Sequence, residues 1–164
     1  MQQLEPHKNV HYFYALLFCL AITLHNLEEA LWLPQWSQIG YPFVQPVTAA
    51  QFHFAVLVVT ALAYVVSFLF CVFPKALSFQ SIFIGFLGAM IINAFFPHLL
   101  LTIYTGNYAP GLITGLLVIV PINTIVFYKL RPLSFKNICL STVIVGASLL
   151  LLLPVLFQIG RMFS

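Results

Sequence analysis

Two adjacent carboxylates and a histidine, Glu28, Glu29 and His25, lie inside the first long apolar stretch of the chain. The sequence has only three acidic residues, so most of its negative charge is concentrated here. An ionised carboxylate in hydrocarbon costs about 2.5–3.5 kcal/mol on insertion scales, and such residues mark functional sites. Imidazole and carboxylate groups together suit zinc or iron, so the pattern predicts metal binding or acid–base chemistry.

Three polar residues in later apolar stretches fall at the same depth as this group. They are His53, Asn93 and His98. Because successive membrane helices run in opposite directions, all six residues are predicted to lie in one layer near the outer end of the bundle. None of the six falls in the inner half, which indicates one shared site.

The helical repeat decides which of these side chains can face one another. At about 100° per residue, the three residues of the first helix share one face. Asn93 and His98 would point about 140° apart on a regular helix, and only His98 would then belong to the site. Pro97 removes the N–H that would bond to the carbonyl of Asn93, so a kink or π-bulge there would bring both side chains toward the bundle axis.

The composition requires a membrane fold. The chain of 164 residues is 62% hydrophobic and 5% charged, whereas an ordinary soluble domain is about 25% charged. Its apolar runs are each long enough to span about 30 Å of hydrocarbon as a helix. We therefore predict a single all-α transmembrane domain, a polytopic bundle of five helices at about 10–33, 48–73, 79–103, 109–130 and 137–159. The first helix should end at Pro34, and the fourth should begin at Pro110-Gly111.

The basic residues predict the orientation of the bundle. Those on the side of the N-terminus are Lys8, Lys75, Lys129, Arg131 and Lys136, with Arg161 on the other side. The positive-inside rule then gives an N-in/C-out protein, in a bacterium a multi-pass protein of the inner membrane. No basic stripe lies outside the apolar runs, which argues against a nucleic-acid partner. The three cysteines are separate and show no metal or disulfide spacing.

The start of the predicted fourth helix lies at the same outer level as the polar residues. Its unpaired N–H groups could hold a polar group of a substrate near Tyr108, Gly111 and Thr114, with Asn93 as a further substrate-binding residue. The alternative is that Gly111 and Gly115 form a small-residue face for helix packing.

Taken together, these residues resemble a known family. The pattern is His25-x-x-Glu28-Glu29, then Asn93 and His98, then Tyr108-x-Pro110-Gly111-x-x-Thr114. It is similar to the HXXEE family of small bacterial and archaeal membrane proteins, over roughly residues 15 to 115. The resemblance implies a membrane protein with a polar site and supplies no activity.

The favoured hypothesis is a metal-dependent membrane enzyme that acts on a lipid or another hydrophobic small molecule. His25, Glu29 and His98 would bind a divalent transition metal, zinc or iron, and His53 would be a fourth ligand or a base. Glu28 would be a bridging ligand or the general acid/base. The substrate would come from the outer leaflet, because the chain has no large aqueous domain.

Three alternatives stay open at this point. The same groups could perform metal-free acid/base isomerisation of a lipid, or form part of a proton or metal-ion transporter. They could also bond only to one another and fix the helix packing. The inner half of the bundle offers a transport path few polar residues, chiefly His11 and Asn123. The sequence is compatible with a homo-oligomer but does not require one.

Overall fold

The computed structural model describes residues 6–130 and 134–163 as a bundle of five helices, so Arg131 from the charge count lies outside the described residues. The helices are α1 Pro6–Ser37, α2 Ala49–Val72, α3 Leu77–Thr105, α4 Leu112–Leu130 and α5 Phe135–Gly160, followed by a 3₁₀ turn, Arg161–Phe163. No strand occurs among the described residues. Each helix is long and apolar enough to cross a membrane, which confirms the predicted all-α fold with five candidate spans.

Two predicted helix ends differ from the structure. Helix α1 does not end at Pro34 but continues through it to Ser37. Helix α4 begins at Leu112 and not at Pro110, because Gly111 has a left-handed backbone conformation, with φ +92°, that a right-handed helix cannot include.

Helix α3 is interrupted at the level of the polar residues. Its backbone is π-helical over Ala94–Leu99, and within that segment Phe96 is extended, with φ −132° and ψ 111°. The irregularity coincides with Pro97, as the sequence predicted for a kinked helix. It turns the side chains of Asn93 and His98 to the same side of the helix, so their amide and imidazole nitrogens lie 3.1 Å apart.

The bundle centre is filled with aromatic rings on the side of this interruption that faces the N-terminal end of α1. Phe70 and Phe83 stack with their centroids 4.3 Å apart. Phe18 meets Phe83 and Phe86 edge to face. All four side chains are buried, so α1, α2 and α3 share one dry aromatic core directly below the polar layer.

Two glycines let α3 and α5 approach closely. A Cβ at Gly85 would lie 2.5 Å from the carbonyl oxygen of Ser141, and one at Gly88 would lie 2.0 Å from the hydroxyl of Thr142. By contrast, Gly146 on α5 has only Ala89 near it, with the two Cβ positions 3.7 Å apart. Close backbone approach at small residues is typical of helix packing in membranes.

We therefore expect Gly85→Ala to destabilise the bundle by about 1–3 kcal/mol, because the new methyl group meets backbone that cannot rotate away. Gly146→Ala is the matched control, and we expect it to be neutral or slightly stabilising, since alanine favours a helix over glycine. Thermal unfolding of both purified variants in detergent, followed by circular dichroism, measures the difference. Equal unfolding temperatures would contradict the close contact at Gly85.

Candidate functional site

His25, Glu29 and His98 come together between α1 and α3. Their ligand atoms lie within 4.8 Å of one another. The Nε2 atom of His98 is 3.0 Å from Oε1 of Glu29, and Nε2 of His25 is 3.8 Å from the same oxygen. Both imidazoles are buried, and the Glu29 side chain is 12% exposed. We call these three residues the His/Glu cluster.

Asn93 lies beside the cluster and contacts both rings. Its amide nitrogen is 3.2 Å from Nε2 of His25 and 3.1 Å from Nε2 of His98. With the amide in this orientation it donates one N–H to each ring, so both Nε2 atoms present lone pairs. Because each Nε2 has one lone pair, a cation bound by both rings and Glu29 would take the place of the two Asn93 N–H groups.

Glu28 points away from the cluster and holds the start of α4. Its Oε1 accepts hydrogen bonds from the Tyr108 hydroxyl and from the Gly111 N–H, the latter at 2.9 Å. Its Oε2 accepts from the Thr114 N–H at 2.9 Å and from the Thr114 hydroxyl at 2.5 Å. The carboxylate thus satisfies N–H groups that a helix start leaves unpaired, and its charge is favourable at that end of the helix dipole.

Thr114 connects Glu28 to the cluster. Its Oγ1 donates its one hydrogen to Glu28 and lies 3.1 Å from Nδ1 of His25. The hydroxyl can therefore only accept from His25, which puts the ring hydrogen on Nδ1 and the lone pair on Nε2. This agrees with the donor role of Asn93, and it is the outer-sphere orientation that metal-binding histidines usually have.

The structure does not bring His53 to the cluster. Its Nε2 lies 2.9 Å from the carbonyl oxygen of Ala30 on α1. Pro34 has no N–H to bond to that carbonyl four residues earlier, so His53 donates the missing hydrogen bond. The prediction of His53 as a ligand or base is therefore corrected to a contact that stabilises α1 where it passes through Pro34.

Two further role assignments change with the geometry. Glu28 has both oxygens engaged by α4, so a bridging or acid/base role would require these hydrogen bonds to break. Tyr108, Gly111 and Thr114, predicted to bind substrate, hold the Glu28 carboxylate in this structure, and substrate binding by them stays a prediction.

The surroundings of Gly111 and Gly115, at the start of α4, agree with the alternative that these glycines serve helix packing. A Cβ at Gly111 would lie 2.6 Å from the His98 ring, and one at Gly115 would lie 3.1 Å from Cβ of Ala94. Both positions are thus close approaches between α4 and α3.

A second polar contact lies beside the site and was not predicted from the sequence. Asn26 is buried and donates to the Thr60 hydroxyl at 2.7 Å, and Thr23 lies 3.1 Å from the Tyr64 hydroxyl. These pairs join α1 to α2. The signal was available, because Thr60 and Tyr64 share a stripe on α2, but Asn26 lies between the motif residues and received no separate role.

We expect Glu28→Ala to destabilise the protein by at least about 1.5–3 kcal/mol, the value of one hydrogen bond to a charged group. The substitution leaves the N–H groups of Gly111 and Thr114 without their acceptor. His53→Ala is a control that removes one hydrogen bond between neutral groups, worth about 0.5–1.5 kcal/mol. Thermal unfolding in detergent compares the two variants, and a smaller effect for Glu28→Ala would contradict its anchoring role.

Comparison with known proteins gives a family but no activity. Residues 16–126 match the family model described as a protein of unknown function with HXXEE motif. The chain is 50% identical to the uncharacterized protein YrkK of Bacillus subtilis (strain 168), over 155 residues that cover 93% of this chain and 98% of that protein. No solved structure matches. The motif of the family corresponds to His25, Glu28 and Glu29, and on this evidence the chain belongs to the HXXEE family.

Proposed function

We propose that this protein is a metal-dependent membrane enzyme in which His25, Glu29 and His98 bind one divalent transition metal, zinc or iron. The observation that carries the proposal is the convergence of the three ligand atoms within 4.8 Å. His25 and Glu29 lie one turn apart on α1, and His98 comes from α3, about 70 residues further along the chain. Two histidines and one carboxylate are a ligand set of catalytic zinc sites and of non-haem iron sites, both of which keep a coordination position for substrate or water.

The electrostatics of the site favour this proposal. A buried carboxylate without compensation is costly, and a cation at the cluster would neutralise Glu29. When bound, such an ion would act as a Lewis acid on a substrate oxygen. Thr114 would hold the His25 ring in place through Nδ1, whereas the Asn93 amide would give up its contacts with the two Nε2 atoms to the ion.

The substrate of the proposed enzyme is a lipid or another hydrophobic molecule. The cluster lies inside a helix bundle whose outer surface carries many exposed large apolar side chains, so a hydrophobic molecule would reach it from the membrane. We place the cluster near the outer face of a bacterial inner membrane, following the distribution of basic residues. Hydrolysis, isomerisation and oxidation are all compatible with this ligand set.

The packing below the cluster favours an enzyme over a transporter. A transport path would need polar steps through the inner half of the bundle. There the buried rings of Phe18, Phe83 and Phe86 contact one another. Asn123 is fully buried and donates to the carbonyl of Leu87 at 3.0 Å, a contact that joins α4 to α3.

Elemental analysis of the purified protein tests the proposal directly. We expect about one zinc or iron per chain, lost on His25→Ala, Glu29→Ala or His98→Ala, because each removes a ligand. His53→Ala is the matched control and should retain the metal, since His53 bonds to Ala30. Protein that is folded but contains no transition metal, even after incubation with zinc or iron, would contradict the proposal and favour metal-free acid/base isomerisation.

The role of Thr114 gives a second test. We expect Thr114→Val to weaken metal binding by about 10–100-fold, the usual effect of losing an outer-sphere partner of a ligand. Valine has nearly the shape of threonine but cannot accept the hydrogen of Nδ1 of His25. Thr114→Ser keeps the hydroxyl and should restore most of the affinity, measured by competition with a chelator. Equal metal affinities of the valine and serine variants would show that the hydrogen bond from Nδ1 of His25 to Thr114 does not support metal binding.

A further inference from the structure

An open cleft of about 470 Å³ lies beside the cluster, between the end of α1 and the start of α4. Its walls are almost entirely apolar, and the lining residues are Trp32, Gln35, Trp36, Ile39, Tyr108 and Pro110. Several of them are accessible from outside, with Trp32 58%, Ile39 60% and Tyr108 41% exposed. The cleft is therefore open at the ends of two predicted membrane spans, where tryptophan and tyrosine typically lie at the membrane interface.

The cleft shares a wall with the candidate site. Tyr108 lines the cleft and donates its hydroxyl hydrogen to Glu28. Pro110 lines it as well, and the next residue, Gly111, packs against the ring of His98. A molecule in the cleft would thus be separated from the cluster by one layer of side chains.

The charge distribution restricts what can occupy the cleft. No Asp, Glu, Lys or Arg lies between residues 30 and 74 or between 99 and 128, and none of these residue types lines the cleft, so the lining offers no Lys or Arg to an anionic head group. The charges behind the wall are the two carboxylates of Glu28 and Glu29. Arg161, which follows α5, is not among the residues that line the cleft.

The polar atoms around the cleft suit a neutral oxygen. Gln35 lies in the lining and offers both a donor and an acceptor. The indole N–H of Trp36 has no acceptor in the part of the chain that the structure describes. The volume lies in the lower part of the range of about 300–1,000 Å³ for small-molecule sites, which fits one hydrocarbon chain better than a two-chain phospholipid.

We propose that this cleft binds a neutral single-chain amphiphile, such as a long-chain alcohol, ester or amide. We further propose that it is the binding site for the substrate before reaction at the His/Glu cluster. This second statement rests on the enzyme function proposed above, whereas the binding itself does not. The hydrocarbon chain lies along Trp32 and Ile39, and the polar group bonds to the exposed amide of Gln35.

Tryptophan fluorescence tests the binding, because the chain has two tryptophans and both line the cleft. The full chain, freed of metal with a chelator, is placed in vesicles of ordinary phosphatidylcholine and titrated with a long-chain alcohol brominated in its chain. We expect a saturable loss of emission that levels off near one alcohol per chain. Trp32→Phe leaves Trp36 as the single reporter and keeps an aromatic ring against the hydrocarbon chain, so the Trp36 emission should still level off, at an equal or higher alcohol concentration.

A relocated reporter separates the cleft from general contact with lipid. In this control both tryptophans are replaced by phenylalanine and Leu151→Trp is added on α5, where Leu151 is 77% exposed. We expect its quenching to increase gradually without saturation. If Trp36 in the cleft is quenched no differently from the reporter on α5, the cleft has no occupant of this kind.

The head group is tested with a brominated fatty acid of the same chain length at alkaline pH, where its carboxylate is ionised. We expect it to bind at least about tenfold more weakly than the alcohol, since like charges brought together cost several kcal/mol. Equal or tighter binding of the acid would overturn the neutral-amphiphile assignment. Because these titrations need no metal, their failure would leave the metal proposal standing, and absence of metal would leave the cleft proposal standing.

Discussion

The arrangement of the site depends on the binding of the Glu28 carboxylate by the start of α4. Four donors converge on its two oxygens, two from the backbone and two from side chains. This interaction compensates a negative charge in an apolar environment and also satisfies N–H groups at a helix start. It fixes α4 beside α1, and Gly111 then lies against the His98 ring. The geometry of the cluster is therefore a consequence of where one carboxylate is held.

The two adjacent glutamates of the motif serve different purposes because of helix geometry. Neighbouring residues on a helix point about 100° apart, so one can face α4 while the other faces α3. Glu28 has its hydrogen-bonding capacity taken up by the fold. Glu29 retains only imidazole contacts, at 3.0 and 3.8 Å, and is available for a cation. A single carboxylate in this place could not both anchor α4 and complete the His/Glu cluster.

The sequence predicted the fold and the convergence of distant polar residues better than it predicted the roles of individual residues. Hydropathy and length gave the five helices, and the shared depth of His25, Asn93 and His98 anticipated that these residues meet. Pro97 indicated the irregular segment that lets Asn93 and His98 face the same way. Depth alone could not separate His53 from the others, because its partner is a backbone carbonyl that Pro34 leaves unbonded. Nor could it show that Tyr108 and Thr114 bind Glu28, since that depends on the left-handed conformation of Gly111.

The distance in sequence between Glu28 and its donors has a consequence for how the protein is made. Gly111 is 83 residues further along the chain, so α1 leaves the ribosome long before α4 exists. During that interval both carboxyl groups of α1 lack their final partners. They must then enter the membrane protonated, stay near its surface, or be sheltered by the insertion machinery until the fourth helix arrives. Assembly of the bundle and burial of the Glu28 carboxyl group among its four donors are for this reason parts of one late event in biogenesis.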